Sequence, residues 1–185
     1  MHLYIGLVHY PVYNKNYQVI ASAITTFDLH DIARLARTYD VKKYFVITPL
    51  DDQQALVEKV KRHWTNGYGA KYNRHRKEAI ALIEVSPTLE QAIKETAKLE
   101  RETPLVIATD VSIQNDRSIS YERVKKIIEK ESIILLFGTA WGLEKTVLER
   151  ADYILEPILG RTDYNHLSVR AAAAIILDRL AGGYQ

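Results

Sequence analysis

The 185-residue chain contains 47% hydrophobic and 26% charged residues and has a formal net charge of +2 at pH 7. This length suits one α/β domain with a full core and is short for two, so we predict a single domain over residues 1–185. The absence of cysteine excludes disulfides and thiolate metal sites, and no His-x-x-x-His spacing indicates another metal site. No apolar run approaches the roughly 20 residues that cross a bilayer, and residues 1–6 lack the features of a signal peptide. We therefore expect a soluble, cytoplasmic protein that binds neither a membrane nor a metal.

The predicted elements alternate between strands and helices. Apolar runs bounded by proline, glycine or polar residues predict strands at residues 3–10, 43–48, 78–85, 104–109, 133–137 and 152–156. Apolar residues at helical spacing predict helices after a cap at Asp28, around Leu56, Val60 and Trp64, and from Thr88, Tyr121, Glu144 and about Leu167. Residues 14–26 fit a strand or an early helical turn, and residues 110–120 read as a polar loop. The alternation predicts an α/β fold with a mostly parallel sheet and helices on both faces.

Residues 65–77 break this pattern with Gly67 and Gly69, and positive charge is concentrated over the wider stretch of residues 59–77. The wider stretch contains seven Lys or Arg and no Asp or Glu, which leaves the rest of the chain at −5 (+2 minus +7). Trp64, Tyr68 and Tyr72 are interleaved among the cations. Because cations bind phosphates and aromatic faces stack on unpaired bases, we interpret the segment as a flexible loop that binds RNA; the alternative is a solvated face. The cations assigned to RNA are Lys59, Arg62, Lys71, Arg74, Arg76 and Lys77.

The last predicted helix, which begins near Leu167, is apolar nearly all round. Such a helix must be buried, and in a chain of this size we expect part of it to contact a second subunit. The alternative is a central core helix within one chain.

Glycine-containing turns follow the last two predicted strands. The Gly-x-Gly-x-x-Gly, P-loop and Gly-x-Ser-x-Gly motifs are all absent, which disfavours a Rossmann dinucleotide site, a nucleotide P-loop and a nucleophile elbow. Gly138 and Gly142 instead follow the fifth strand, and Gly160 follows the sixth. Ligands of open α/β sheets bind beyond the carboxyl ends of the strands, where glycine allows the main chain to come close. We predict a small-molecule site formed by residues 136–142, 155–160 and 164–170.

Three segments resemble the motifs of the SPOUT superfamily of S-adenosylmethionine-dependent RNA methyltransferases. Residues 135–143 (LLFGTAWGL) are similar to the second motif and residues 165–175 (NHLSVRAAAAI) to the third. Residues 26–38 (TFDLHDIARLART) occupy the place of the first. The resemblance follows the element order of the whole chain. It is greatest to a bacterial subgroup that also occurs fused to a tRNA guanine-methyltransferase domain.

The resemblance implies a SPOUT fold with a C-terminal trefoil knot, a homodimer packed through the last helix, and S-adenosylmethionine as cofactor. On this resemblance we expect an RNA methyltransferase whose substrate is tRNA and whose target is a ribose 2′-oxygen. Alternatives are RNA base methylation, a non-catalytic module that binds S-adenosylmethionine or RNA, and a flavodoxin-like small-ligand protein. The residues that the resemblance assigns to the cofactor are Leu136, Phe137, Gly138, Thr139, Gly142, Leu155, Glu156, Pro157, Ile158, Gly160, Asn165, His166, Leu167 and Val169.

Candidate catalytic residues come from the same resemblance. Arg34 matches the first-motif arginine of ribose methylators, and a permanent cation suits it to orient the oxygen and stabilise developing negative charge. His30 lies one helical turn before Arg34 and has an ordinary pKa suited to base work. Asn165 would hydrogen-bond the cofactor or the target nucleotide. The structural alternatives are an ion pair of Arg34 with Asp28 or Asp31, a capping or solvated His30, and a helix-capping Asn165.

Two departures from the family pattern concern the chemistry. Ala140 and Trp141 stand where many members carry Glu, and residues 167–170 (LSVR) replace Leu-Asn-Val-Ser. Cofactor binding through the main chain tolerates such changes better than a specific catalytic mechanism does. Trp141 is expected to stack on a base or to fill the dimer interface.

Overall fold

The computed structural model describes residues 1–112, 116–162 and 164–183. The strands are β1 (Leu3–Val8), β2 (Val12–Tyr13), β3 (Val19–Ile20), β4 (Lys43–Ile47), β5 (Ile83–Ser86), β6 (Leu105–Thr109), β7 (Ser118–Ile119), β8 (Ile133–Gly138) and β9 (Tyr153–Leu155). The helices are α1 (Thr26–Thr38), α2 (Asp51–Thr65), α3 (Tyr68–Tyr72), α4 (Arg74–Ile80), α5 (Leu89–Glu100), α6 (Tyr121–Ile127), α7 (Lys145–Arg150) and α8 (Val169–Ala181).

Seven strands form one sheet in the order β5-β4-β1-β8-β6-β9-β7, and every neighbouring pair is parallel. β1 and β8 lie side by side near its centre, with Gly6 opposite Leu136. All of β1 is buried, and only Gly138 of β8 is partly accessible. Burial on both faces explains why these strands are continuous apolar runs rather than alternating ones. The predicted α/β fold with a mostly parallel sheet is confirmed.

Helices pack on both faces of the sheet. Leu3, Ile5 and Leu7 of β1 belong to a core that also contains residues of α1, α2, α4, α6 and α8. Tyr4 and Val8 belong to a second core, which contains residues of α5 and α7. Neighbouring strand residues alternate between the two cores because successive side chains point to opposite faces. Since the strands are parallel, their carboxyl ends share one side of the sheet, called here the carboxyl edge.

The predicted helix around Leu56, Val60 and Trp64 is α2, and the rest of the basic segment, residues 59–77, is helical rather than a flexible loop. The basic segment comprises the end of α2, all of α3 and the start of α4. The Asn73 side chain starts α4 by accepting a hydrogen bond from the Arg76 amide at 2.9 Å, which is ordinary N-cap chemistry. The prediction of a strand over residues 78–85 is wrong in its first half. The apolar run there joins the end of α4 to β5, because Ile80 and Ile83 are buried in the same core.

The start of α1 also differs from the prediction. Thr25 is the cap: its hydroxyl accepts from the Asp28 amide at 3.2 Å and donates to the Asp28 carboxylate at 2.6 Å. Asp28 is therefore a first-turn acid, which favours the helix dipole, and not the cap. The ambiguous residues 14–26 contain β3, which pairs with β2 in an antiparallel hairpin.

The predicted polar loop at residues 110–120 ends in a strand. β7 pairs with β9 at one side of the sheet. Residues 113–115 of the predicted loop lie outside the described residues. Within the described ranges, no helix is long and apolar enough to span a membrane, and no three metal-ligating side chains cluster.

The last helix, α8, is part of the core of a single chain. It packs beside α1, α6 and β8. Its buried residues are Ala173, Ile176, Leu177 and Leu180, whereas Ala171, Ala172, Ala174 and Ile175 are half-buried. The core-helix alternative thus describes one side of α8, and contact of the other side with a second subunit remains a prediction.

Candidate functional site

The three late segments of the predicted site all lie at the carboxyl edge. Residues 136–142 comprise the end of β8 and the turn after it, and residues 155–160 begin at the last residue of β9, with β6 between the two strands. The chain returns to this edge before α1, because the Ser22 amide donates to the carbonyl of His9, just after β1, at 2.8 Å. Arg170, in the first turn of α8, bonds Asp28 in the first turn of α1 at 3.2 Å. Residues 164–170 therefore approach the same edge.

The turn after β8 folds back on itself and requires its glycines. A Cβ atom on Gly138 would lie 2.7 Å from the amide nitrogen of Leu143, closer than real contacts allow. Gly142 has φ +102, and Ala140 also has a positive φ of 52. The Trp141 amide donates to the carbonyl of Tyr13 at 2.9 Å, which fixes the turn to the hairpin. Among the described residues other than its two chain neighbours, none has an atom within 4 Å of the Cβ position of Gly142, so the main chain there is open to a ligand.

A chain of side-chain hydrogen bonds supports this turn from beneath. The Thr139 hydroxyl donates to the carbonyl of Val8 at 2.9 Å and lies 2.6 Å from the Ser22 hydroxyl. The Ser22 hydroxyl in turn lies 2.9 Å from Nδ1 of His9. His9 is completely buried, and burial lowers its pKa from its usual value near 6.5 to about 4, against the opposing influence of Asp28. His9 is therefore a neutral structural residue at pH 7.

His9 and Ser22 were missed from the sequence. The available signal was the position of His9, a polar residue directly after a buried strand at the carboxyl edge. Such positions face ligand sites in parallel sheets. Its Nε2 atom is buried and has no hydrogen-bond partner among the described residues.

The second and third segments have unused main-chain groups. Within the described ranges, the amides and carbonyls of Ile158, Leu159, Gly160, Asn165, His166 and Leu167 make no protein hydrogen bond. Ile158 packs against the core, whereas Leu159 is 69% exposed. Unused peptide groups beside apolar side chains fit a planar heterocycle such as adenine, whose ring edge needs hydrogen bonds and whose faces need apolar contact. The residues present thus fit the adenosyl group of S-adenosylmethionine.

Several predicted cofactor residues can act only through their main chain. Leu136, Phe137 and Leu155 are buried in the cores. The Glu156 carboxylate accepts a hydrogen bond from the Tyr121 amide at 3.0 Å. Glu156 and Pro157 also line a cavity of about 440 Å³ with Ser118, Tyr121, Leu159 and Arg179. The third segment is more accessible: His166, Leu167 and Ser168 are exposed, and Asn165 and Val169 are half-buried.

The ends of α1 and α8 are joined by an ion-pair network. Arg170 bonds the carboxylates of Asp28 at 3.2 Å and Asp31 at 3.5 Å. Its guanidinium also lies 5.5 Å from the ring centroid of Phe27, which is 68% exposed. The alternative prediction that Arg34 forms an ion pair with Asp28 or Asp31 is therefore wrong, because both carboxylates pair with Arg170. Sequence reasoning placed Arg170 in the third segment and noted it as a departure from the third motif, but did not predict its ion pairs with Asp28 and Asp31.

Asn165 does not cap α8. Ser168 is the cap, because its hydroxyl accepts a hydrogen bond from the Ala171 amide at 3.2 Å. The capping alternative for Asn165 is therefore wrong. The Trp141 side chain, in the turn after β8 at the carboxyl edge, is 62% exposed.

Arg34 is exposed and lines a separate cleft of about 390 Å³ between α1 and α4. The other lining residues are Arg37, Thr38, Asn73, His75, Arg76, Glu78 and Ala79. None of them belongs to the three late segments. Arg34 forms no ion pair within the described part of the chain.

His30 is packed rather than solvated or capping. Its ring meets the ring of Trp64 edge-on, with centroids 5.5 Å apart, and its Nδ1 atom is buried without a partner. Burial lowers the pKa of His30, and the nearby Arg76 cation lowers it further. His30 is therefore neutral at pH 7 and able to accept a proton.

The cations predicted to bind RNA differ in their surroundings. Arg74 pairs with Glu78 at 3.2 Å, and Arg76 lies over the Trp64 ring at 4.7 Å. The other four are exposed and have no carboxylate partner in the described ranges: Lys59, Arg62, Lys71 and Lys77. The structure thus presents a largely unneutralised basic surface on α2, α3 and α4.

Comparisons with known proteins give matches along nearly the whole chain. A family model described as SAM-dependent RNA methyltransferase matches residues 2–182. A protein of Oleidesulfovibrio alaskensis named tRNA (guanine-N(1)-)-methyltransferase is 43% identical over 180 residues, which cover 97% of this chain and 42% of that protein. An uncharacterized protein of Aquifex aeolicus is 38% identical over 96% of this chain and 87% of its own length. This chain therefore spans less than half of the Oleidesulfovibrio relative.

Solved structures share the fold at low sequence identity. TrmJ from Z. mobilis superposes with a TM-score of 0.65 at 15% identity, covering 100% of this chain and 70% of that one. The SpoU methyltransferase AviRb from Streptomyces viridochromogenes has a TM-score of 0.59 at 15% identity, over 97% and 58% of the two chains. An AdoMet-bound rRNA methyltransferase from Sinorhizobium meliloti has a TM-score of 0.53 at 17% identity, over 97% and 55%.

Proposed function

Because the chain belongs to the family of S-adenosylmethionine-dependent RNA methyltransferases, we propose that it methylates RNA with the cofactor held at the carboxyl edge. The observation that carries this proposal is the set of unused main-chain groups in residues 158–160 and 165–167, beside the open turn at Gly142. A pocket lined by main chain needs no particular side chain. It therefore accommodates the departures at Ala140, Trp141 and residues 167–170.

The proposed substrate is tRNA, and the proposed target is a ribose 2′-oxygen. The names of the curated relatives support tRNA. We assign the guanine-N1 activity in those names to the part of each relative that this chain does not match, which is more than half of its length. Support for ribose comes from Arg34, which matches the arginine of ribose methylators in the SPOUT motif. Methylation of a base remains the competing function.

S-adenosylmethionine supplies a methyl group bound to a sulfonium sulfur. As the carbon–sulfur bond breaks and the carbon–oxygen bond forms, the 2′-hydroxyl must lose its proton. Arg34, a permanent cation without an ion-pair partner in the described ranges, would orient the hydroxyl oxygen and stabilise its developing negative charge. His30, whose pKa is lowered by burial, would accept the proton. Asn165 would hold the cofactor or the target ribose.

We propose a homodimer formed through the half-buried side of α8. A helix whose outer side carries Ala171, Ala172, Ala174 and Ile175 allows a second helix to approach closely. Because α1 packs against α8, this dimer would place each α1 and its Arg34 next to the interface. The cleft that Arg34 lines does not include the cofactor site of its own chain. In the dimer, Arg34 would instead approach the cofactor site of the partner subunit.

We also propose the C-terminal trefoil knot of the SPOUT superfamily. Its support is the path of the chain: β9 lies on the far side of β6 from β8, and α8 then returns to pack beside β8. A return of this kind past the β6–β8 connection allows threading, which is otherwise nearly absent from protein folds.

Transfer of tritiated methyl groups from S-adenosylmethionine to bulk tRNA tests the proposal. We expect incorporation by the native protein and a loss of at least about 100-fold in Arg34→Ala, the scale of a positioned catalytic group. Lys130→Ala is the control, since Lys130 is exposed just before β8, at the opposite edge of the sheet. Nucleoside mass spectrometry of the product then distinguishes a 2′-O-methyl ribose from a methylated base. Cofactor binding without any transfer would instead identify a non-catalytic module.

A further inference from the structure

Two tyrosines on α3 form an exposed aromatic pair. Tyr68 is 76% exposed and Tyr72 is 74% exposed. Their ring centroids lie 6.1 Å apart with an interplanar angle of 20°, so the rings are nearly parallel. Large aromatic side chains usually bury most of their surface, which makes a stacked, solvent-facing pair a candidate contact surface.

The helix that carries this pair, α3, packs closely against α2 at Gly67 and Gly69. A Cβ atom on Gly69 would lie 2.6 Å from the ring of Trp64, and one on Gly67 would lie 2.8 Å from the carbonyl oxygen of His63. Only glycine allows α3 to lie this close to α2. This close packing sets the position of the main chain that carries Tyr68 and Tyr72.

Trp64 lies against α3 at Gly69, and its ring is largely covered by other side chains. Its ring is covered by Arg76 at 4.7 Å and meets the edges of His30 and His63 at 5.5 and 5.0 Å. Sequence reasoning grouped Trp64 with Tyr68 and Tyr72 as possible stacking residues. The structure separates the half-buried tryptophan from the two exposed tyrosines.

The surroundings of the pair select an anionic partner. Lys71 lies on the same short helix, and Lys59, Arg62 and Lys77 lie on the two helices packed against it. All four are exposed and lack a carboxylate partner within the described ranges. Aromatic faces set among free cations match a single nucleic-acid strand, whose bases stack while its phosphates pair with the cations.

We propose that Tyr68 and Tyr72 form a stacking platform for unpaired bases of the RNA substrate. A base continues the stack on the outer face of a tyrosine ring, and the neighbouring phosphates lie on the surrounding lysines and arginine. This inference rests on the proposed function and deepens it: the protein selects RNA that has an unpaired segment near the target, rather than a continuous duplex. In a continuous duplex, the base pairs stacked above and below hide the ring faces that the platform would contact.

Fluorescence anisotropy with a labelled single-stranded RNA of about 12 nucleotides tests the platform. We expect the double variant Tyr68→Ala/Tyr72→Ala to bind at least about fivefold more weakly, since stacking on one base contributes roughly a five- to 150-fold factor. The double variant Tyr68→Phe/Tyr72→Phe is the matched control, because it keeps both ring faces, and we expect native affinity. Both tyrosines are exposed, so the urea unfolding midpoint of each double variant should equal that of the native protein.

Two further RNAs and a salt series separate stacking from charge. Against an RNA of the same length with abasic sites, the native protein and the alanine variant should bind equally. Against a continuous duplex they should also bind equally. The slope of log Kd against log salt should be unchanged in the alanine variant, whereas Lys71→Gln should reduce it by about one phosphate contact.

The platform is overturned if the alanine variant binds the single-stranded RNA as tightly as the native protein. It is also overturned if the native protein does not bind that RNA, or if the alanine variant loses equal affinity for the abasic RNA. Calorimetry with S-adenosylmethionine on the same preparations keeps this inference separate from the proposed function. Cofactor binding and methyl transfer with an unaffected alanine variant would remove the platform alone, whereas absent cofactor binding would remove the proposed function.

Discussion

The guanidinium of Arg170 lies 3.2 Å from the carboxylate of Asp28, and this ion pair fixes the start of α8 to the start of α1. Asp28 is buried and also accepts a hydrogen bond from the Thr25 hydroxyl. The pair stands just after the third late segment. The position of residues 165–169 therefore depends on a contact between Asp28 and Arg170, which are 142 residues apart in sequence.

Arg170→Ala is expected to lower both stability and cofactor affinity. Removing the cation leaves the buried Asp28 carboxylate with fewer partners, which costs about 1–3 kcal/mol of unfolding free energy. Residues 165–169 also lose their anchor, so binding of S-adenosylmethionine should weaken. Urea unfolding and calorimetry measure the two effects. Arg150→Ala is the control: Arg150 forms an exposed pair with Glu90, and its loss should cost less than about 1 kcal/mol.

Gly138→Ala is expected to disrupt the turn after β8. The added Cβ atom would lie 2.7 Å from the Leu143 amide nitrogen, so the main chain must move. Such overpacking costs about 1–3 kcal/mol and should weaken cofactor binding. At Gly160 the nearest atom to an added Cβ is 3.7 Å away, an ordinary contact, so Gly160→Ala should unfold at nearly the native urea concentration. Equal unfolding midpoints for the two variants would contradict the assigned role of Gly138.

Burial of His9 predicts a specific loss of stability in acid. Its pKa is about 4 in the folded protein and near 6.5 when unfolded, so the unfolded state binds more protons between these values. Stability contributed by neutral His9 is complete above pH 6.5 and falls as pH decreases towards 4, by roughly 3 kcal/mol in total. Urea unfolding from pH 7 to pH 4.5 measures the decline. His9→Gln cannot take up a proton at this position and should show a shallower dependence on pH; an unchanged slope would contradict the account.

Ala171→Glu tests the proposed dimer without disturbing the helix. Ser168 caps α8 and bonds the Ala171 amide, so a glutamate at this position completes a capping box and favours the helix dipole. In a dimer formed on this side of α8, the same charge would be buried without a partner. Sedimentation equilibrium should show a dimer for the native protein and a monomer for Ala171→Glu, with unchanged helix content by circular dichroism. A native monomer would contradict the proposed dimer.

Strongly periodic or continuous apolar segments were predictable from the sequence, and local context decided the rest. β1 and β8 are continuous apolar runs because both faces are covered, and this pattern identified them directly. The run at residues 78–85 was misread because two buried elements, α4 and β5, meet there without a polar break. The helix around Val60 and Trp64 was predicted, whereas the helices within residues 65–77 were missed because α3 is only five residues long and is held by contact with Trp64, not by its own periodicity.

The candidate site was predictable to the level of segments and not of contacts. Parallel strands bring their carboxyl ends together, so the glycine turns after β8 and β9 indicated the edge. The support of Thr139 by Ser22 and His9 depends on pairing between residues more than 100 apart, which no local pattern specifies. The same is true of Arg170, whose partners lie on α1.

Isothermal titration calorimetry with S-adenosylmethionine measures directly whether the protein binds this cofactor. If the turns after β8 and β9 and the segment before α8 hold this cofactor, the native protein binds it at one site per chain. Gly138→Ala then binds it more weakly, and FMN gives no binding heat. A folded native protein that shows no binding heat with S-adenosylmethionine at several temperatures would contradict the account.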